Sequence, residues 1–386
     1  MTPRAQFFSL MKRESAPVLS WFMAFFNEKT AQRLLGTENV QTDCIPDDKL
    51  HTGACSTENR QRKLAYAKAC GHFAIGVGHG GGFAFGHGGP GEFGEWEIET
   101  GENFRIAQFE TGVKKEVKYN PHFYHHFNYP VDSATDLDKI TLPDPHDPAR
   151  YAGIQDESDF YKAQGYATFA NLNGFFSGIH YFLYPYDKLF EDLLLEPEFI
   201  HAMLDKLGAF NLAAAEKLLQ CGVDMITFCD DLGNGTSLLM SPALYREFFL
   251  PWHKKLADLC HQYGAYLHMH SHGNINKIID DIADSGVDLL NPLDPCDGMD
   301  LPALKAKYND RMTFVGGIDK FFFEWDYDKQ RDYIFALAKN ADGGFILMDS
   351  GGVPENVTKE QFERIRAIFH DVKAAYNQFP GKNVDE

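Results

Sequence analysis

Ala265-Tyr-Leu-His-Met-His-Ser-His-Gly-Asn274 reads as a β-strand running out into a tight glycine turn. Side chains alternate faces along a strand, so His268, His270 and His272 are expected to project from one side. Three imidazoles on one face are out of place in an ordinary core. Imidazole ligates transition metals and also moves protons near neutral pH, so the stretch marks a candidate metal or acid/base centre. The plainer alternative is that each ring is a hydrogen-bonded structural residue.

Outward from this strand, from about residue 155, the pattern is regular: a short apolar strand, a polar loop, an amphipathic helix. Strands are predicted at Tyr166 to Leu172, Val223 to Cys229, Ala265 to His270, Val287 to Asn291, Met312 to Val315 and Gly344 to Met348. Helices are predicted between them at Pro197 to Gln220, Ser241 to Tyr263, Asn274 to Ser285 and Asp328 to Lys339, with Thr358 to Tyr376 after the last strand. Alternation of this kind means an α/β fold with a parallel sheet and right-handed crossovers, and the number of units favours a (β/α)8 TIM barrel. Active sites of such barrels lie where the strands end at their C-terminal face. The residues expected on that rim are Asn171 and Asn173, Asp230 and Asp231, His270 and His272, Asn291 and Asp294, Gly317 and Asp319, and Asp349 and Ser350. A rim so rich in carboxylates, imidazoles and carboxamides suits metal-assisted or proton-transferring chemistry.

Upstream, Ala16 to Leu35 carries Trp21, Phe22, Phe25, Phe26, Leu34 and Leu35 at roughly helical spacing, which predicts a helical lead-in ended by Gly36. Residues 71 to 94 hold eleven glycines in twenty-four positions, with His72, His79 and His87 among them. That composition predicts little regular structure and a mobile lid or cradling loop. The run Gly76-Val-Gly78-His-Gly-Gly81 lacks the strand-to-helix context of a dinucleotide site. Glu95 to Thr100, Asn103 to Phe109 and Val113 to Lys118 alternate apolar with polar residues and predict a β-meander. His122, His125 and His126 follow in an aromatic-rich stretch, read mainly as packing residues of an irregular segment. Pro143-Asp-Pro-His-Asp-Pro148 is a stiff connector. The whole chain, 1–386, is thus expected to be one barrel domain, with 1–150 as lead-in, glycine-rich loop and meander and 151–380 as the repeats.

With 44% hydrophobic and 14% aromatic residues the chain buries a sizeable core. A formal net charge of -19 argues against nucleic acid and anionic membranes as partners, since both are held by Lys and Arg. Seven cysteines without a C-x-x-C pair suggest free thiols in a reducing compartment. The apolar run Val18 to Phe26 is too short to span a bilayer, and a cytoplasmic location is expected.

Phe228-Cys-Asp-Asp-Leu-Gly233, Ser241-Pro242 through Arg246-Glu-Phe-Phe-Leu-Pro251, His270-Ser-His-Gly-Asn274, Val287-Asp-Leu-Leu-Asn-Pro292 and Phe314-Val-Gly-Gly-Ile-Asp319 occur in this order. Together they resemble the uroporphyrinogen decarboxylase superfamily over about residues 160 to 375. The resemblance implies one (β/α)8 barrel and two chemistries: cofactor-free porphyrinogen decarboxylation, or zinc-dependent methyl transfer involving corrinoid proteins. The Arg-rich N-terminal signature of true uroporphyrinogen decarboxylases is missing, and an octacarboxylate needs cations that this acidic rim lacks. The thiol-methylating branch holds zinc with His-x-Cys and a later Cys. Here His272 stands at the first Cys, and Asp349-Ser-Gly-Gly-Val-Pro354 has none. Imidazole and carboxylate in place of thiolates make a harder, more Lewis-acidic metal, suited to polarising an oxygen.

The reading that follows is a methyltransferase in which His270, His272 and Asp349 bind Zn2+, with Asp230 or Asp231 as substitutes for the last. Asp231, Asp294 and His268 are the catalytic candidates, as proton donors or as groups orienting His270. Asn171, Asn173, Asp230, Asn291 and Asp319 are the candidates for holding a small-molecule substrate with a methoxy-type methyl donor. Asp144-Pro-His146 lacks the glycine of a corrinoid-binding signature, so cobalamin is expected on a partner protein. Members of the superfamily are often dimers. The alternatives are a metal-free decarboxylase, with His270 or His272 as acid and Asp231 holding a substrate nitrogen, and a non-catalytic binding barrel.

Overall fold

The structure is a computed structural model that describes residues 1–13, 19–20, 25, 28–38, 53–78, 89–341 and 344–375. Its strands in chain order are β1 (Leu19–Ser20), β2 (Ala74–Gly76), β3 (Glu95–Thr100), β4 (Phe104–Phe109), β5 (Lys114–Tyr119), β6 (His122–Phe127), β7 (Ala167–Leu172), β8 (Met225–Cys229), β9 (Tyr266–His270), β10 (Leu289–Asn291), β11 (Thr313–Gly317) and β12 (Ile346–Met348). Two sheets form. The larger runs β1-β12-β11-β10-β9-β8-β7-β2 with every pair parallel, and the smaller is an antiparallel meander β3-β4-β5-β6.

The parallel sheet is curled. Ala74 on β2, Phe169 on β7, Leu289 on β10, Val315 on β11 and Ile346 on β12 share one apolar cluster. Neighbouring strands are spaced by about 4.8 Å, so strands from both ends of this order meet only if the sheet bends round on itself. The helix Pro3–Met11 closes the floor of that interior with Phe7, Leu10 and Met11, and Phe7 stacks on Phe73 at 4.9 Å. Arg4 pins the helix through Asp224 at 2.7 Å. A larger core lies between the outer face of the sheet and its helices.

The six strands read from the repeats are present as β7 to β12, and the helix Pro197–Gln220 has the predicted bounds. The predicted helix Ser241 to Tyr263 is observed in three pieces, Pro242–Leu244, a wider π turn at Tyr245–Phe249 and Leu250–Gln262. Pro251 has no N–H for the carbonyl of residue 247, and the wider turn absorbs the loss.

Three expectations need correction. The lead-in is not one helix: Leu19–Ser20 pairs with β12, Phe25 bridges Val353, and the helix is confined to Glu28–Leu35. A short apolar run does not distinguish strand from helix by its period, and the unpaired edge of β12 takes it as a strand. The glycine-rich stretch does carry regular structure, because Ala74–Gly76 pairs with β7, while residues 79–88, with His79 and His87, lie outside the described residues. The aromatic-rich stretch 122–127 is the fourth strand of the meander, register-paired with β5 from Tyr119↔His122 to Lys114↔Phe127. Among the described residues no helix is long and apolar enough to cross a membrane, and the six described cysteines are free thiols.

Candidate active site

The interior of the curled sheet changes character along its strands. Its lower layer is apolar, whereas the upper one is built from Asn171, Thr227, Cys229, His268, His270 and Asn291 near the C-terminal ends of β7 to β10. Parallel pairing sets Thr227 opposite His268, Cys229 opposite His270, and Asn291 opposite His270 from the far side.

Glycines let the loops beyond these strands close up. Gly273 has φ +86, and a Cβ there would meet Gly233 at 2.1 Å, so the turns after β8 and β9 lie backbone against backbone. Gly174 allows the loop after β7 to approach Cys229, whose carbonyl oxygen a Cβ would meet at 2.0 Å.

His270 is fully buried, and burial depresses its pKa to about 3, with His272 adding a smaller push in the same direction. The ring is therefore neutral near pH 7. Its Nδ1 lies 2.9 Å from the Asn291 carboxamide oxygen, which only accepts, so Nδ1–H donates and Nε2 carries the lone pair. Nε2 faces Asp231 Oδ1 at 3.7 Å. Donor atoms of Cys229, Asp231 and His270 all lie within 4.8 Å of one another. Burial raises the Cys229 thiol pKa well above its ordinary value, and Asp231, Asp230 and Glu92 push it the same way. Asp231 also accepts from the His272 backbone N–H at 2.8 Å, and the His272 ring stands edge-on to His270 with centroids 4.7 Å apart.

A cavity of about 400 Å³ opens over this group, and Asn171, Asn173, Thr227, Cys229, Asp231 and His272 line its lower wall. The antiparallel meander is its roof, contributing Lys115 from β5 and Tyr124 and His126 from β6. Tyr181, Phe182 and Glu92 complete the wall, and the His126 ring lies 4.9 Å from Tyr181. Burial raises the Glu92 pKa to about 8, so at neutral pH this carboxyl is mostly protonated and can donate a hydrogen bond.

The sequence-derived candidates thus divide. Asn171, Asn173, Asp231 and His272 line the cavity, and His270 and Asn291, which do not, join the group through the Asp231–His270 and His270–Asn291 contacts. Asp230 turns into the helix layer, where it accepts from the N–H groups of Phe175 at 3.1 Å and Ser177 at 2.9 Å and from His253 Nε2 at 2.9 Å. Tyr245 closes that chain on His253 Nδ1 at 3.1 Å. His268 is fully buried against Thr227 Oγ1 at 3.0 Å and does not line the cavity. Asp294 accepts from the Cys296 N–H and Asp319 from the Phe321 N–H, each at 2.8 Å, in turns outside the cavity wall. Asp349 accepts from the N–H groups of Gly351 and Gly352 and is absent from the three-donor group. Burial lifts its pKa to about 7.

Sequence reasoning missed Cys229, Glu92, Lys115 and Tyr181, and placed His126 mainly in packing. For Cys229 a signal existed, since the predicted strands Val223 to Cys229 and Ala265 to His270 end level with one another.

The chain matches the uroporphyrinogen decarboxylase (URO-D) family model over residues 111–372. It belongs to the URO-D family. Among solved structures it is similar to a methyltransferase from Methanosarcina mazei, at 16% identity and TM-score 0.66, over 96% of this chain and 99% of that one. At that identity the likeness establishes a shared fold. Weaker likenesses include a B12-independent methionine synthase from Shewanella sp. W3-18-1 (12% identity, TM-score 0.31, 58% and 68% of the two chains). Another is a sugar phosphate isomerase/epimerase from Parabacteroides distasonis (13%, TM-score 0.36, 62% and 83%). No curated protein matches the chain.

Proposed function

We propose that this chain is a metal-dependent methyltransferase of the URO-D family, moving a methyl group from a small methoxylated molecule to a corrinoid carried by a separate protein. The reading takes the chain as a single closed (β/α)8 domain working in the cytoplasm. The observation that carries it is the group Cys229, Asp231 and His270 beneath a roofed cavity. Thiolate, carboxylate and imidazole are the ligand types of Zn2+, and three protein ligands with one open position is the pattern of catalytic zinc. Zinc bond lengths of about 2.0–2.3 Å put ligand atoms roughly 3.3–3.8 Å apart, and the donor atoms here lie within 4.8 Å of one another. Bound there, Zn2+ would act as a Lewis acid on the ether oxygen of the donor. In this reading Cys229 would lose its proton on metal binding, and its thiolate with Asp231 would stand where the sequence suggested His272 and Asp349.

The chain's own residues supply the rest. Asn291 holds the His270 ring in the tautomer that presents Nε2. His272 fixes Asp231 through its backbone N–H. Tyr124, His126, Tyr181 and Phe182 exclude water and give an apolar body something to pack on. Glu92, protonated by virtue of its burial, is placed to give a proton to the departing oxygen.

Decarboxylation of an octacarboxylate is disfavoured, because Lys115 is the single Lys or Arg among the described residues lining the cavity. The test is metal analysis joined to a methyl-transfer assay with a methoxylated donor and free cob(I)alamin. About one zinc per chain and transfer abolished by chelation are expected. CO2 release that survives chelation would establish the decarboxylase instead.

A further inference from the structure

Glu95 on β3 is shared by two cations. Arg105 Nη1 on β4 lies 3.4 Å from its Oε1, and Lys115 Nζ on β5 lies 4.0 Å from its Oε2. One carboxylate facing two cations leaves one positive charge in excess. That excess falls on Lys115, whose contact is the longer and which lines the cavity, whereas Arg105 does not. Two acidic residues line the same cavity, Glu92 in its wall and Asp231 beside His270 on its floor, so the excess positive charge belongs to the roof and not to the cavity as a whole. The Lys115 side chain is 13% exposed and its ammonium sits 5.4 Å from the centre of the Tyr124 ring. Burial lowers the Lys115 pKa and Glu95 acts in the opposite direction, so the carboxylate is what sustains this sheltered ammonium beside an aromatic wall, with Tyr181 and His126 on the same cavity.

We propose that Lys115 is a specificity-determining residue, which pairs with an acidic substituent on an aromatic substrate whose ring lies among Tyr124, His126 and Tyr181. This rests on the methyltransferase reading for the donor's methyl group, but not for its charge. A cationic ligand, such as a quaternary ammonium, meets a like charge at the roof and is rejected. A neutral aromatic ether packs on the same rings without the charge-assisted bond.

The test is calorimetric titration of the full chain with 4-methoxybenzoate, 4-methoxybenzyl alcohol and 4-methoxybenzyltrimethylammonium. Wild-type protein is expected to bind the benzoate about tenfold more tightly than the alcohol, and the cation most weakly. Lys115→Met lowers benzoate affinity to that of the alcohol and leaves the alcohol within about twofold, while Lys115→Arg keeps the preference. Equal affinities in wild type, tightest binding of the cation, binding of none of the three, or a preference that survives Lys115→Met overturns the proposal. Metal content and methyl transfer, read on the same preparations, separate the two ideas. Transfer without charge preference removes only the Lys115 role, whereas charge preference without metal or transfer removes only the methyltransferase reading.

Discussion

Cys229 and His270 occupy paired positions at the ends of adjacent parallel strands, so the ladder itself brings thiol and imidazole to one place. Alanine at either position is expected to bring bound zinc from about one per chain to near zero, since two remaining ligands do not make a catalytic site. Asp349→Asn should leave the metal in place. Elemental analysis after gel filtration reads both outcomes, and zinc retained by Cys229→Ala would place the ion elsewhere.

In the proposed site Asn291 would act on the metal through His270, whose Nδ1–H it holds, without touching it. Removing a partner that orients a ligating histidine typically lowers affinity by about 10–100-fold. Asn291→Ala should weaken zinc binding by that amount, as read by competition with a chromophoric chelator, with the fold intact by circular dichroism. An unchanged affinity would mean that the His270 ring is held by its packing alone.

The Asp230–His253–Tyr245 chain is expected to govern stability. Asp230→Ala strands three buried donors, a loss on the order of 3 kcal/mol or more. A fall in the urea midpoint is the measurement. Full stability in Asp230→Ala would show that the loop after β7 is held by other means.

Glu92 makes a prediction about pH. Its folded-state pKa is raised from 4.5 to about 8, so between those values the folded state holds a proton that the unfolded chain releases. Stability contributed by this group is complete below about pH 4.5 and fades as pH rises towards 8, by roughly 1.4 kcal/mol per unit at most. Glu92→Gln should flatten that slope in denaturation series across pH 5 to 8. Identical slopes in the two proteins would contradict the buried, neutral carboxyl.

Much of the parallel sheet is legible because each of β7 to β12 is an apolar run bounded by polar turns, and the 24-residue helix Pro197–Gln220 buries Ile200, Leu204, Leu207 and Ala214 at helical spacing. Where local signals were short, tertiary pairing decided: Leu19–Ser20 is strand only because β12 offers an edge. The site divides for a similar reason. Asp230 and Asp231 follow β8 directly, and beyond a strand's last paired residue no alternation rule says which carboxylate turns inward. One went to His253 and the other to His270. Lys115 and His126 reach the cavity through the docking of the meander, and Glu92 through the bridge of Gly91 to Leu172 at the end of β7, relationships that period and composition do not encode.

That module has a further implication. The strands of the meander pair with one another and not with the parallel sheet, yet they furnish the ceiling of the chamber. The proposed metal-holding floor and the proposed ligand-choosing canopy would therefore be separable parts. Exchanging the segment between the glycine-rich stretch and residue 130 should retune what is accepted while leaving the reactive chemistry below it untouched.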